Sequence, residues 1–167
     1  MANRTRLISL ILGLTMCLTA VLGIVFANPA NTAHAEGTDT RIPVSTITAT
    51  SNIDDIVGFG KNVVRPTFTI AEDVPAQFDI SGNWQRKTAT GWDYYSGTAF
   101  MEGTYRYRTQ IRIEGAAGTT HVLDKNGITV TVNGVKWADN SKPGIADTYS
   151  YDWVFSKEYP VCLLYTS

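Results

Sequence analysis

Very few side chains of this 167-residue chain combine the type and the spacing that catalysis requires. A nucleophile needs a base beside it. Beyond the first 35 residues the chain holds one histidine, His121, in a Gly-Thr-Thr-His sequence that is typical of a turn. Nothing accompanies this histidine at the spacing of a zinc site. The residues therefore predict no catalytic triad, no metal centre and no cofactor.

Adjacent acidic residues occur as Asp54-Asp55 and Glu72-Asp73. Glycoside hydrolysis uses two carboxylates that face one bond, whereas neighbours on a strand point to opposite faces. The sequence Asp124-Lys125-Asn126-Gly127 superficially matches a calcium loop, but it lacks the regular oxygen ligands and the distal glutamate. We interpret the acidic pairs as solvated loop residues and 124–127 as a tight turn, and we expect a protein that is not an enzyme.

Among the segments of the sequence, the one most typical of a ligand-binding site is Trp92-Asp93-Tyr94-Tyr95, which glycines flank. Its three rings could stack against a sugar or contact a protein, because aromatic side chains bury much area at a low entropy cost. In the alternative interpretation, Trp92 and Tyr94 are inward residues of a short strand and Tyr95 covers an edge. Trp92, Tyr94 and Tyr95 are thus the predicted ligand-binding residues, for an extracellular glycan or a protein on a host or cell surface.

The clearest structural signal is an alternation that runs from Thr104 to Glu114. One side carries Tyr105, Tyr107, Ile111 and Ile113, and the other carries Arg106, Arg108, Gln110, Arg112 and Glu114. This alternation indicates a strand with one buried and one wet face, as in an antiparallel sheet. The three arginines form a basic stripe that would suit an acidic partner, although an exposed sheet face commonly carries such residues without a partner.

Other runs predict further strands, separated by Gly, Pro, Asn and Asp. They are Val44 to Thr50, Pro66 to Ile70, Gln77 to Lys87 with a bulge at Gly82, Ile128 to Val132, and an aromatic closing strand from Tyr149 to Ser156. Asn133-Gly134 predicts a type I′ turn that leads into Val135 and its neighbours.

About seven strands and no convincing helical stripe predict an all-β fold, an antiparallel two-sheet β-sandwich with an Ig-like layout. A small barrel would produce the same alternation. Roughly a dozen inward aromatic and branched side chains, at about 1.5–3 kcal/mol each, would support such a core without a disulfide.

The first 35 residues are typical of a signal peptide. Arg4 and Arg6 precede an apolar run from Leu7 to Ala27, and Ala33-His34-Ala35 is a small-residue cleavage site. Cleavage directly after the apolar run and retention as a membrane anchor are the alternatives. Residues 36–43 read as a polar leader, and we expect a protein that is secreted or held at the cell surface.

The exported remainder has a net charge of −3, with 12 basic and 15 acidic residues. This balance argues against a nucleic-acid partner, which would require phosphate neutralisation. Abundant aromatic and β-branched residues argue against a disordered tail. We expect membrane contact only through the signal segment.

The last six residues, 162–167, resemble the translation of the transposase mosaic-end adapter used to prepare sequencing libraries. The resemblance implies that the natural sequence ends at Val161 and that the gene was cut there. Cys162 would then carry no functional weight. We therefore expect the chain to be the amino-terminal fragment of a longer protein.

Residues 41–161 contain a succession of strands that resembles Ig-like modules of Gram-positive secreted and cell-surface proteins. The succession consists of the Trp84 strand, Gly103-Thr104-Tyr105, the run from Ile128 to Gly134, and the closing aromatic strand. The resemblance implies an Ig-like domain over 44–161 that acts as a spacer or adhesive unit beside further repeats of the same chain. The alternative is a carbohydrate-binding module of a truncated secreted glycoside hydrolase.

Overall fold

Short strands rich in threonine, valine and tyrosine make up the fold. The computed structural model describes residues 39–71, 73–140 and 142–163. The predicted signal peptide and residues 164–167 of the predicted tail lie outside the described residues and stay predictions. Among the residues that are described, no helix is long and apolar enough to cross a membrane.

Within these ranges the chain forms fourteen strands and two single-turn helices, which confirms the all-β class. The strands are β1 Ile42–Val44, β2 Thr46–Ser51, β3 Phe68–Ile70, β4 Gln77–Phe78, β5 Asn83–Thr88, β6 Gly91–Tyr94, β7 Gly103–Ile113, β8 His121–Leu123, β9 Thr129–Val132, β10 Val135–Lys136, β11 Ala138–Asp139, β12 Gly144–Ile145, β13 Ser150–Phe155 and β14 Tyr159–Val161. The helices are α1 Ile53–Ile56 and α2 Gly115–Gly118.

The strands outnumber the seven expected because turns interrupt two of the predicted runs and because β6, β8, β11, β12 and β14 lie outside those runs. The run from Val44 to Thr50 is divided between β1, which begins inside the predicted polar leader, and β2. The run from Gln77 to Lys87 is divided between β4 and β5. Gly82 lies just before β5 rather than in a bulge, and a Cβ atom there would clash with Tyr107 Oη. This glycine therefore permits the tyrosine to pack against the backbone.

Strand β7 is the centre of an eight-stranded sheet. One edge of β7 pairs antiparallel with β5 and β4, and its other edge pairs antiparallel with β13 and β14. The side chains of β7 alternate between buried and half-exposed along the strand. The predicted inward set, Tyr105, Tyr107, Ile111 and Ile113, is buried, which confirms the alternation inferred from the sequence.

A four-stranded sheet, in the order β10-β9-β2-β3, shares its core with the sheet around β7. The four-stranded sheet contributes Ile47, Ala49, Val130 and Val132, and the eight-stranded sheet contributes Trp84, Tyr105, Tyr107, Ile111, Ile113 and Val154. The expectation of purely antiparallel pairing was wrong for two pairs, because β2 lies parallel to β9 and β1 lies parallel to β8. Parallel partners are far apart in the chain, so local turn signals do not reveal them.

The hairpin predicted at Asn133-Gly134 joins β9 to β10, with Val132 opposite Val135. Both turn residues have positive φ, 51° at Asn133 and 78° at Gly134, as a type I′ turn requires. The Asn133 side chain also donates to the Ser51 carbonyl at 2.8 Å, so it ties the hairpin to the end of β2.

A bend at Ser156 allows the end of the chain to follow β7 along its whole length. Ser156 lies between β13 and β14 and is buried. Its Oγ atom accepts a hydrogen bond from the Tyr107 backbone N–H at 2.8 Å and donates to the Lys157 carbonyl at 2.8 Å. The side chain thereby replaces a ladder bond that the bend interrupts.

We predict that Ser156→Ala destabilises the fold by about 1–3 kcal/mol, because the buried N–H of Tyr107 loses its acceptor. Denaturant unfolding monitored by tryptophan fluorescence measures the change. Ser96→Ala, at an exposed serine, is the matched control and should change stability by less than about 0.5 kcal/mol. Equal unfolding midpoints for the two variants would contradict this role of Ser156.

Candidate functional site

The closing strand β13 turns its aromatic side chains away from the core. Ser150, Asp152 and Val154 are buried, whereas Tyr151, Trp153 and Phe155 are only partly buried. The buried Ser150 is accommodated because its Oγ atom accepts a hydrogen bond from the backbone N–H of Leu123 at 2.9 Å. The aromatic residues therefore lie on the same side of the sheet as the arginines of β7.

We call this side of the eight-stranded sheet, opposite to the core, the outer face. It is formed by Gln85, Lys87, Trp92, Tyr94, Arg106, Arg108, Gln110, Arg112, Tyr151, Trp153 and Phe155. The registers place Gln85 between Tyr94 and Arg106, and they place Gln110 opposite Trp153. Three neighbouring strands and β6 thus supply one continuous polar and aromatic surface.

Five residues of the outer face form an aromatic–arginine ladder: Trp92, Arg106, Phe155, Arg108 and Trp153. Arg106 Cζ lies 4.3 Å from the Trp92 ring centroid and 4.4 Å from that of Phe155. Arg108 Cζ lies 3.6 Å from the Trp153 ring centroid. These are cation–π distances, and they arise because diagonal neighbours on adjacent strands are within reach of long side chains. The stacking holds each guanidinium in place.

The charges of the outer face are only partly balanced. Arg112 Nη1 pairs with Asp79 at 2.8 Å, and Lys87 pairs with Glu158 at 3.0 Å. For Arg106 and Arg108, no carboxylate among the described residues lies within ion-pair distance. Burial lowers the pKa of the Arg106 guanidinium, and the like charge of Arg108 lowers it further. The charge of Glu158, which also pairs with Lys87, acts in the opposite direction and raises this pKa. The ladder therefore carries two adjacent positive charges that form no ion pair of their own among the described residues.

A depression of about 380 Å³ continues the outer face beyond the ladder. Its lining includes Gln110, Arg112, Glu114, Thr148, Tyr149 and Tyr151. The rings of Tyr149 and Tyr151 stack at 6.2 Å with an angle of 17° between their planes. A Cβ atom on Gly144 would lie 2.7 Å from the Tyr151 ring, so that glycine lets the ring rest on the backbone. The depression offers both hydrogen-bond donors and acceptors.

The structure separates the three predicted ligand-binding residues. Trp92 and Tyr94 lie on the outer face, and Tyr94 is 69% exposed. Tyr95 points the other way, packs 5.0 Å from the Tyr105 ring, and donates to the Ala99 carbonyl at 2.6 Å. The three rings do not form a common platform, because alternate residues of a strand face opposite sides.

Sequence reasoning missed the aromatic residues of β13 as candidates. Tyr151, Trp153 and Phe155 occupy alternate positions, with Asp152 and Val154 between them, and the basic stripe of β7 alternates in the same way. Two strands with this pattern, one basic and one aromatic, were the available signal that their side chains would meet on one face.

The other residues considered for chemistry have local structural contacts. His121 Nδ1 lies 2.9 Å from Thr120 Oγ1, and Asp54 pairs with Lys157 at 2.7 Å. The segment 124–127 is a tight turn in which the Gly127 N–H donates to the Asp124 carbonyl at 2.9 Å. Over the part of the chain that is described, no group of three or more His, Cys, Asp or Glu side chains has the arrangement of a metal site.

A larger cleft of about 590 Å³ lies between β3 and β4. Phe68 and Phe78 stack there with centroids 4.1 Å apart, and burial raises the pKa of Tyr107 to about 12. The charged groups of the cleft are already engaged, since Arg65 donates to the Ile80 carbonyl at 2.6 Å and Asp79 pairs with Arg112. The lining of the cleft is part polar and part apolar, and its charges are less available than those of the ladder.

Beneath the ladder, Asp152 is a buried acid. Its Oδ1 accepts from the Trp153 N–H at 2.8 Å, while its Oδ2 is buried without a partner among the described residues. Burial raises the pKa of this carboxyl above its ordinary value of 3.8, and the charge of Asp139 raises it further. Asp152 thus binds its proton more tightly in the folded state than in the unfolded state.

No protein-family model, no curated protein and no solved structure matches the chain. The outer face is the candidate functional site, because it combines two stacked arginines that form no ion pair with a described residue, half-exposed aromatic rings and a polar depression. Such planar donors and rings suit the binding of a ligand.

We predict that Asp152→Asn changes how stability depends on pH. In the wild type, stability due to Asp152 is greatest below pH 3.8 and is lost as the pH rises through the raised folded-state pKa. The variant lacks this loss, so its stability relative to the wild type should be higher at pH 7 than at pH 3.5. Urea unfolding of both proteins at both pH values measures it. The shared contributions of Asp54 and Asp79, whose pKa values are lowered, cancel in the comparison. The same stability difference at both pH values would contradict the prediction.

Proposed function

We propose that the chain is a non-catalytic extracellular module of a Gram-positive cell-surface protein and that it adheres to an acidic partner through its outer face. The observation that carries the proposal is the aromatic–arginine ladder, in which Arg106 and Arg108 stack on aromatic rings without carboxylate partners. Export by the predicted signal peptide places the module outside the cell.

The finer fold assignment within this proposal is an Ig-like β-sandwich over 44–161. Two observations support it. The two sheets share one core, and each edge of β7 pairs with two different strands in succession. A module of this kind presents the exposed sides of its sheets to other molecules, and further repeats of the same chain would be its neighbours.

The composition of the outer face favours adhesion over a passive spacer role. Tryptophan, tyrosine and arginine are the residues enriched at binding hot spots, and the ladder contains all of these except tyrosine, which the adjoining Tyr94, Tyr149 and Tyr151 provide. A spacer requires none of them to be exposed. The partner should be acidic, because the two unpaired guanidiniums attract negative charge.

We predict that the full chain, immobilised on a sensor, captures washed Gram-positive cells or mammalian extracellular matrix. Arg106→Gln with Arg108→Gln should weaken capture about ten-fold or more, since each charged hydrogen bond contributes about 1.5–3 kcal/mol. Quartz-microbalance adhesion measures the loss.

The matched control is Lys125→Gln with Lys136→Gln, which removes the same charge from exposed positions outside the eight-stranded sheet. This control should bind like the wild type. Failure of the wild type to capture either surface would favour the spacer role, and equal losses in the two double variants would mean that net charge alone determines capture.

A further inference from the structure

The chemistry of the outer face also narrows the class of partner. We infer that the ligand is an acidic polysaccharide that lies along the aromatic–arginine ladder and enters the depression beside Tyr149 and Tyr151. This inference rests on the proposed function, since it specifies the ligand of the same surface.

The ladder calls for a ligand with repeated negative charge. Arg106 and Arg108 are two residues apart on one side of β7, so their backbones are about 7 Å apart. A single carboxylate that pairs in bidentate fashion with one guanidinium leaves the other guanidinium without a partner. A linear polymer that carries an acidic group on successive units can reach both.

The rings around Arg106 prepare it for binding. Its guanidinium lies between Trp92 and Phe155, and its Nε donates to Gln85 Oε1 at 2.8 Å. A side chain that is already held loses little further freedom when a ligand arrives. The remaining planar N–H groups match the geometry of a carboxylate or sulfate.

The depression favours a sugar over an acidic protein segment. Acidic side chains offer acceptors only, so they cannot hydrogen-bond to the Glu114 carboxylate that lines the depression. Sugar hydroxyls both donate and accept, so they can bond to Glu114 and Gln110 as well as to the tyrosine hydroxyls. The stacked rings of Tyr149 and Tyr151 add an apolar surface of the kind that faces a pyranose ring.

Isothermal titration calorimetry with the full chain tests this inference, using polygalacturonate, neutral dextran and polyglutamate as probes. We expect binding to polygalacturonate that weakens as salt is added, with dextran and polyglutamate at least about ten-fold weaker. Arg106→Gln with Arg108→Gln should abolish the binding, and Lys125→Gln with Lys136→Gln should preserve it. Trp153→Ala should weaken binding, and Trp153→Phe should restore most of it, because a ring again supports Arg108.

Equal affinity for polyglutamate and polygalacturonate would overturn the inference and leave the proposed adhesion to an acidic partner intact. Dextran binding as strong as that of polygalacturonate would likewise overturn it, since the arginines would then be irrelevant. If the wild-type chain binds none of the three probes and also captures neither cells nor matrix, the proposed function itself is refuted. If Trp153→Ala fails to fold by circular dichroism, the arginine variants and their lysine control decide the outcome.

Discussion

The pairing of β7 with strands along both of its edges is the constraint on which the rest of the structure depends. Because β7 is held on both sides, its register is fixed, and every second side chain must enter the core. Tyr105, Tyr107, Ile111 and Ile113 supply that core. The same register sends Arg106, Arg108 and Arg112 to the outer face, with Gln110 between the last two, so the fold and the candidate site have one origin.

The arginines of the outer face shield its aromatic rings from water. Rings on a solvated sheet face would leave much apolar surface in water, but Arg106 and Arg108 cover Trp92, Phe155 and Trp153 with their planar groups. Each such contact contributes about 0.5–2 kcal/mol, depending on its exposure. The arrangement stabilises the face and, at the same time, leaves the hydrogen-bonding edges of the guanidiniums without carboxylate partners. Stability of the isolated module and readiness to bind thus come from the same contacts.

The sequence predicted local features well where a single strand or turn contains the whole signal. The alternation of β7 and the Asn133-Gly134 turn are of this kind, since both depend on backbone geometry within a few residues. The direction of β13 could not be predicted, because apolar residues usually face the core. Here Ser150 and Ser156 face it instead, and the reason lies in distant N–H groups of Leu123 and Tyr107 that need acceptors.

The candidate site was predicted only in part for the same reason, namely that local sequence does not show which strands pair. Trp92 and Tyr94 were identified from their composition, but the separation of Tyr95 from them follows from the pairing of β6 with β5. Trp153 and Phe155 become part of a site only through the antiparallel pairing of β13 with β7. The parallel pairing of β2 with β9 joins segments that no local pattern connects. The sequence could not predict which residues form the candidate site, because their positions depend on pairing between strands that are distant in the chain and not on the preference of each segment for a strand.

The four tryptophans provide the most direct measurement of the central claim, which is that the outer face binds the ligand. Trp92 and Trp153 lie on the ladder, whereas Trp84 and Trp137 are buried in the core. Nuclear magnetic resonance resolves the four indole N–H signals while an acidic polysaccharide such as polygalacturonate is added. The account predicts that the signals of Trp92 and Trp153 shift and that those of Trp84 and Trp137 stay in place. Shifts confined to Trp84 and Trp137, or no shift at saturating ligand, would contradict it.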